Sequence, residues 1–124
     1  RRMPDTRLIP QARNVCGEVG FAPYALPGSA KLGDNIARTF AAGHHCVVLE
    51  NHGVVVGGVD LRQAFARFET LEFAAKTIVK AAMLGEIRYL DEERTKQPLT
   101  KVPPLAEFAP ERATEKEQEL RRAL

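Results

Sequence analysis

The stretch from Asp60 to Gly85 is the feature of this sequence that most restricts its fold. Asp60 is a good helix N-cap, no proline interrupts the residues that follow, and Gly85 is a typical residue to end a helix. At about 1.5 Å per residue the predicted helix is roughly 37 Å long, more than a lone small domain can cover. Because Phe73, Val79 and Met83 make a second side apolar, we expect the helix to pack on a sheet and on something else, such as another subunit. The main apolar stripe keeps helical spacing throughout and consists of Leu61, Phe65, Phe68, Leu71, Ala75, Ile78 and Ala82.

Two apolar runs precede this helix. They are Cys46-Val47-Val48-Leu49 and Val54-Val55-Val56, and a short segment containing Asn51-His52-Gly53 joins them. This pattern predicts a β-hairpin. Since both runs are continuous rather than alternating, we expect both strands to be buried on both faces.

The part of the chain before the hairpin contains weaker signals. Residues 15–22 predict one short strand, and residues 30–42 predict an amphipathic helix that begins after Ser29 and ends at Gly43. Residues 1–14 are polar, contain two prolines and are expected to form an extended entry.

The character of the chain changes after residue 90. Four prolines punctuate a polar stretch that leads to a charged helix candidate at residues 111–124. We therefore divide the chain into a folded part, residues 1–90, and a charged carboxy-terminal extension, residues 91–124.

Composition excludes several classes of protein. The chain of 124 residues is long enough for one domain, and its formal net charge of +2 favours neither a nucleic-acid partner nor a membrane surface. Cys16 and Cys46 form no Cys-x-x-Cys motif and are expected to be buried or half-buried thiols in a reducing compartment. No apolar stretch reaches the roughly 18 residues that a transmembrane helix needs, and no secretory signal is found, so we predict a cytoplasmic protein.

The three histidines are the main chemical resource. His44 and His45 would point to opposite faces of a strand, so they cannot hold one metal together and are expected at the surface. His52 lies at the turn between the two predicted strands, which would present its imidazole from a rigid support, as a metal ligand or a general base requires. The chain contains no His-x-His or His-x-x-x-His, so any further metal ligands would lie outside its 124 residues.

Glu69 and Glu72 are three residues apart and therefore share one side of the long helix. A solvated or interface edge is the main interpretation, and a general acid/base pair is the alternative. Glu72 lies nearer the apolar stripe than Glu69. If it is buried, it would need a partner such as an imidazole N–H.

The motif Leu49-Glu50-Asn51-His52-Gly53, together with the residues that follow to Gly85, resembles the class II aldolase/adducin family. This is the family of fuculose-phosphate aldolase and ribulose-phosphate 4-epimerase. The upstream Pro23-Tyr24-Ala25-Leu26-Pro27-Gly28-Ser29 also looks like the Pro-Tyr-x-x-x-Gly-Ser/Thr stretch of that family. The resemblance covers about residues 20–85, in order and in spacing.

The resemblance implies an α/β fold, a three-layer α/β/α sandwich on a mostly antiparallel sheet, of which this chain is a partial domain. It also implies a homo-oligomer, usually a C4-symmetric homotetramer, and zinc or another divalent metal held by three histidines. His52 matches the third of these ligands. Asn51 and Glu72 are candidates to orient His52 without binding the metal themselves. The family's amino-terminal half, with its His-x-His pair, acid/base residue and phosphate-binding loops, has no counterpart here, so we expect the carboxy-terminal half of such an enzyme and leave the catalytic residue unknown.

For the complete protein, the resemblance implies a metal-dependent lyase of carbohydrate metabolism. It would cleave a carbon–carbon bond of a small phosphorylated ketose, or a related hydroxy-carbonyl compound, through an enediolate. A 4-epimerase, a decarboxylase or a dehydratase of the same family remains an alternative, as does a non-catalytic adducin-like interaction module. No nucleic-acid or membrane partner is expected, and the isolated 124 residues are expected to be inactive.

Overall fold

The computed structural model describes residues 3–97 and residue 122. The charged helix predicted at residues 111–124 therefore lies, apart from residue 122, outside the described residues. The elements in chain order are a 3-10 turn Thr6–Leu8, α1 Pro10–Cys16, β1 Val19–Ala22, α2 Ala30–Ala41, β2 Cys46–Leu49, β3 Gly53–Val56, α3 Leu61–Leu84 and α4 Glu92–Thr95.

The three strands form one mixed sheet in the order β1-β2-β3. β1 and β2 are parallel, with Val19 opposite Cys46 and Ala22 opposite Leu49. α2 is the connection between these two strands, as a parallel pair requires. β2 and β3 are antiparallel, with Leu49 opposite Gly53, so the predicted hairpin is confirmed.

Helices cover both faces of the sheet. On one face Cys16 from α1 and Leu71 from α3 pack with Val19 and Cys46. On the other face Ile36 and Phe40 from α2 pack against a cluster formed by Ala22, Val47 and Leu49. The strands alternate their side chains between these two clusters, as the period of two requires. The predicted three-layer α/β/α arrangement, present as a partial domain, is confirmed, but the sheet of the described residues is mixed rather than mostly antiparallel, because α2 returns the chain to pair β2 parallel to β1.

The prediction for the first 22 residues is wrong in part. The expected extended entry contains α1, which begins with Pro10 in its first turn, where the missing N–H of proline costs no hydrogen bond. Gly17 adopts a φ of +67° and ends α1, so the strand begins only at Val19. The hydroxyl of the buried Thr6 donates to the carbonyl oxygen of Gly17 at 2.6 Å and ties the entry segment to this bend.

The expected burial of β3 is also wrong. β2 is buried at three of its four positions, whereas β3 has two exposed and two half-buried positions. The reason is its place at the edge of the sheet, where only β2 flanks it within the described residues. A continuous run of valines therefore predicted a strand correctly but not its position in the sheet.

α3 has the boundaries that the sequence predicted. The Asp60 carboxylate accepts a hydrogen bond from the Gln63 backbone N–H at 2.7 Å, and Gly85 follows the last turn. Arg67, which the sequence did not single out, donates from its guanidinium to the carbonyl oxygens of Val15 at 3.2 Å and Gly57 at 2.5 Å. It thereby connects α1 and the end of β3 to α3. Among the described residues, no helix is long and apolar enough to span a membrane.

The two cysteines are fully buried and are not joined by a disulfide. The Cys16 thiol donates to the carbonyl oxygen of Arg67 at 3.4 Å. Hydrogen bonding with the Cys46 thiol and burial both raise the pKa of Cys16, so that this thiol stays protonated at neutral pH. Their predicted role as buried thiols is confirmed.

Candidate functional site

The candidate site lies at the edge of the sheet where β1 and β2 both end. Because the two strands are parallel, the loop after Ala22 and the turn after Leu49 leave the sheet side by side. Open α/β sheets bind their ligands outside the carboxyl ends of parallel strands. We call residues 23–29 the Pro-Tyr loop and residues 51–53 the Asn-His-Gly turn. The two segments are 22 or more residues apart in the sequence but lie next to each other in the fold.

A tight turn holds His52 at this edge. The His52 backbone N–H donates to the carbonyl oxygen of Leu49 at 3.2 Å, which closes a β-turn. Asn51 occupies the third position of this turn with a φ of +52°, the one positive φ of a non-glycine residue among the described residues. Asparagine tolerates this left-handed conformation better than most residues. The imidazole of His52 is exposed, so the turn presents it to solvent from an ordered backbone.

Glu50 connects the turn to the Pro-Tyr loop. Its backbone N–H donates to the carbonyl oxygen of Ala22 at 3.0 Å, and its carboxylate accepts from the backbone N–H of Tyr24 at 2.9 Å. Glu50 is a functional candidate that was missed from the sequence. The available signal was an acidic residue directly after a buried strand, but its partner became visible only when β1 and β2 were paired.

The Pro-Tyr loop is also held from the side of α2. The side-chain amide of the buried Asn35 donates to the carbonyl oxygen of Pro23 at 3.0 Å and accepts from Arg38 at 2.8 Å. The hydroxyl of Ser29 accepts from the backbone N–H of Leu32 at 3.2 Å, which caps α2 as the sequence predicted. The loop is thus fixed at both ends, and the exposed side chain of Tyr24 lies between them.

The other two histidines lie away from His52. His44 and His45 precede β2, whereas His52 follows it, so the length of the strand separates them. An imidazole nitrogen of His44 makes a hydrogen bond with the carbonyl oxygen of Glu18 at 3.0 Å, and His45 is exposed. Their predicted surface position is confirmed for His45, while His44 is half-buried and structural.

The two glutamates on α3 are both exposed, as the solvated-edge interpretation predicted. The carboxylate of Glu72 forms an ion pair with Lys76 at 2.9 Å. Glu72 is therefore not buried in this chain, and the condition under which it would need an imidazole partner is not met. Its support of a metal ligand stays a prediction, as does that of Asn51.

His52 offers one donor to a metal, but the described residues do not complete a site. Within residues 3–97 and 122, no group of three or more His, Cys, Asp or Glu side chains is arranged to hold a metal ion. A catalytic zinc needs three protein ligands. The residues that the structure describes therefore do not fit a metal by themselves, and further ligands would have to come from outside them.

Comparison with known proteins identifies the family of the chain. The family model of the class II aldolase and adducin N-terminal domain matches residues 3–79. The chain is 43% identical over 76 residues to the 3-oxo-tetronate 4-phosphate decarboxylase of Pectobacterium atrosepticum, covering 60% of this chain and 33% of that protein. It is 35% identical over 69 residues to the L-fuculose phosphate aldolase of Methanocaldococcus jannaschii, covering 56% of this chain and 36% of that protein.

Solved structures give the same result. YgbL from Escherichia coli superimposes with a TM-score of 0.62 at 34% sequence identity, covering 71% of this chain and 42% of that one. An aldolase II superfamily protein from Pseudomonas syringae shares the fold with a TM-score of 0.52 at 22% identity, covering 87% of this chain and 45% of that one. The chain spans about a third of the length of the curated relatives it matches. With the family model matched over more than half of its residues, the chain belongs to the class II aldolase and adducin family.

Proposed function

We propose that the complete protein to which this chain belongs is a divalent-metal-dependent lyase that cleaves a carbon–carbon bond of a small phosphorylated hydroxy-carbonyl compound. The observation that carries the proposal is the exposed His52 on a turn fixed by the positive φ of Asn51, at the edge of the sheet where β1 and β2 end. The enzymatic relatives named above support it, since both act on phosphorylated compounds by name.

This chain would contribute one ligand and part of the wall of the site. His52 would bind a metal through a ring nitrogen of its neutral imidazole, and its exposure leaves the ring accessible to a metal. A divalent metal, when bound, supplies a Lewis acid that polarises a substrate oxygen. Glu50 holds the Pro-Tyr loop beside the turn, so the exposed Tyr24 lies at the same edge as His52. The remaining ligands and the acid/base residue would come from outside the described residues.

Decarboxylation is the first reaction to test. The decarboxylase of Pectobacterium atrosepticum is 43% identical to the chain, against 35% for the aldolase of Methanocaldococcus jannaschii, and both reactions break a carbon–carbon bond. Aldol cleavage is the second candidate. An epimerase, a dehydratase and a non-catalytic adducin-like module stay open alternatives.

We also propose that the chain corresponds to the carboxy-terminal half of the family's catalytic domain and that the complete protein is a cytoplasmic homotetramer with zinc. The Asn51-His52-Gly53 motif supports the first part, because it matches the third of three ligands and no His-x-His pair occurs in the sequence.

The test compares two histidine variants of the complete protein. Metal content per chain and turnover of 3-oxo-tetronate 4-phosphate and L-fuculose phosphate are measured for the wild type, His52→Ala and His45→Ala. His45 is the matched control, because it is also exposed but lies at the other end of β2.

We expect His52→Ala to lose metal affinity by at least about 10-fold, since even a residue that only supports a ligand is worth this much. Turnover should fall in parallel, and His45→Ala should behave as the wild type. Unchanged metal content in His52→Ala would refute the ligand role. A metal-free wild type that turns over neither substrate would favour the non-catalytic module.

A further inference from the structure

Glu50 lies between the end of β2 and the Asn-His-Gly turn, and it binds the other segment of the candidate site twice. Its backbone N–H donates to the carbonyl oxygen of Ala22 at 3.0 Å, at the last position where β1 and β2 are paired. Its carboxylate accepts from the backbone N–H of Tyr24 at 2.9 Å, beyond the end of β1. One residue therefore holds the Pro-Tyr loop on both sides of Pro23.

The carboxylate of Glu50 satisfies a donor that the sequence leaves without a partner in the sheet. Because Pro23 has no N–H, Tyr24 carries the first backbone donor after β1. An unpaired backbone N–H is costly wherever water is excluded. An ionised carboxylate is a stronger acceptor for such a donor than a neutral group, since the hydrogen bond is charge-assisted. The bond therefore fixes the loop at the point where it leaves the sheet.

Hydrogen bonds hold the rest of the loop from the side of α2. The carbonyl oxygen of Pro23 accepts from the side-chain amide of the buried Asn35 at 3.0 Å. The carbonyl oxygen of Leu26 accepts from the backbone N–H of Ser29 at 2.9 Å. All of these partners belong to this chain, so the contacts do not depend on which of its surfaces a longer protein covers.

A carboxylate beside a candidate metal ligand could either transfer protons or hold its neighbours in place. A general acid or base directs its carboxylate at the substrate, within hydrogen-bond distance of the proton that moves. The carboxylate of Glu50 is instead half-buried and bound to a backbone N–H of the loop. This geometry favours the second role.

We propose that Glu50 is a positioning residue of the candidate site. Through the backbone N–H of Tyr24 it holds the Pro-Tyr loop against the Asn-His-Gly turn, so that loop and turn together form one wall of the site for the phosphorylated substrate. The proposal rests on the proposed function, because the wall serves the substrate of that reaction.

His52 has its own support, which does not involve the carboxylate of Glu50. Its backbone N–H donates to the carbonyl oxygen of Leu49, and the positive φ of Asn51 shapes the turn. Loss of the carboxylate should therefore loosen the loop and leave the presentation of the imidazole unchanged. This separates the role of Glu50 from that of a metal ligand.

The test compares Glu50→Ala with Glu50→Gln in the complete protein. Glutamine keeps an oxygen that can accept from the Tyr24 N–H, but its neutral amide cannot act as a general acid or base. The values of kcat and KM are measured with 3-oxo-tetronate 4-phosphate and L-fuculose phosphate, together with metal content per chain. Hydrogen exchange is followed at the backbone amide of Tyr24, and circular dichroism checks the fold. Glu93→Ala, an exposed glutamate on α4, is the matched control.

A second variant loosens the same loop from its other side. Asn35→Asp removes the amide that donates to the carbonyl oxygen of Pro23, but it keeps an oxygen that can accept from Arg38. It contains no change at Glu50, so it tests the position of the loop even if Glu50→Ala does not fold.

We expect Glu50→Ala to raise KM at least about 5-fold and to change kcat by less than about 2-fold, since a looser loop weakens the binding of substrate and transition state alike. Exchange at the Tyr24 amide should become at least about 10-fold faster, because its acceptor is lost. Glu50→Gln should stay within about 2-fold of the wild type in KM and in kcat, because it keeps the acceptor. Asn35→Asp should also raise KM. Metal content should match the wild type in every variant, and Glu93→Ala should change nothing.

Three results would overturn the proposal while the lyase activity stands. The first is an unchanged KM in Glu50→Ala. The second is an equal loss of kcat in Glu50→Ala and Glu50→Gln, which would indicate proton transfer by the carboxylate. The third, decisive if Glu50→Ala does not fold, is an unchanged KM in Asn35→Asp.

A wild type that turns over neither substrate would contradict the proposed function instead. Exchange at the Tyr24 amide then decides the role of Glu50 by itself. Faster exchange in Glu50→Ala but not in Glu50→Gln would support the positioning role, and equal exchange in both variants and the wild type would overturn it.

Discussion

Asn51 sets the conformation of the turn that presents His52, and its replacement tests this directly. The residue has a φ of +52° and an exposed side chain, so a substitution changes backbone strain while little packing is lost. A β-branched residue in the left-handed region costs about 1–2 kcal/mol, whereas glycine adopts it freely. We therefore expect Asn51→Val to lower the free energy of unfolding by about 1–2 kcal/mol, and Asn51→Gly to change it by a few tenths.

The assay is urea denaturation followed by circular dichroism. With a slope of about 2 kcal/mol per molar urea, Asn51→Val should unfold at a midpoint lower by about 0.5–1 M. Asn51→Gly serves as the matched control, since it removes the same side chain without the strain. Equal midpoints for the two variants would show that position 51 is not held in the left-handed region, and the account of a rigid His52 turn would then fail.

Three further predictions concern the packing, the caps and the charges. Leu71→Ala, in the cluster between α3 and the sheet, should cost about 2–4 kcal/mol of unfolding free energy in the same denaturation assay, and a cost below 1 kcal/mol would contradict its burial. Ser29→Ala should cost about 1 kcal/mol through loss of the cap on α2, with Ser29→Gly expected to lose less. The side-chain hydrogen bonds from Arg7 hold the pKa of Asp5 below its usual value. The resulting stability is present above the unfolded pKa and is lost as the pH falls through the lowered folded pKa. Thermal unfolding between pH 5 and pH 2 should therefore depend less on pH in Arg7→Met than in the wild type, and parallel curves would refute the pairing.

The long helix was predictable because its signals are local. Asp60 and Gly85 act on backbone groups within a few residues of themselves, and the apolar stripe repeats with the helical period. The hairpin was predictable for the same reason, since its turn and both strands lie within eleven consecutive residues. The error at α1 had a local cause as well, because the polar residues and two prolines of residues 1–14 predicted an extended entry, although proline is favourable in the first turn of a helix.

The candidate site was predictable only in part. His52 could be singled out because its turn residues are adjacent to it in the sequence. Glu50 could not, because its partner Tyr24 is 26 positions away and meets it only through the pairing of β1 with β2. The prediction that β3 is buried on both faces failed for a similar reason. A run of valines carries no information about which strand lies at the edge of the sheet.

The sequence by itself therefore determined the elements whose signals lie within one helix or one turn: α2, the hairpin, α3 and the presentation of His52. Tertiary structure decided what depends on distant residues, namely the parallel pairing of β1 and β2 and the position of β3 beside β2. Local signals act through capping and periodicity, which involve neighbours along the chain. Burial and strand order depend on which surfaces meet, and these surfaces are joined only when the chain folds.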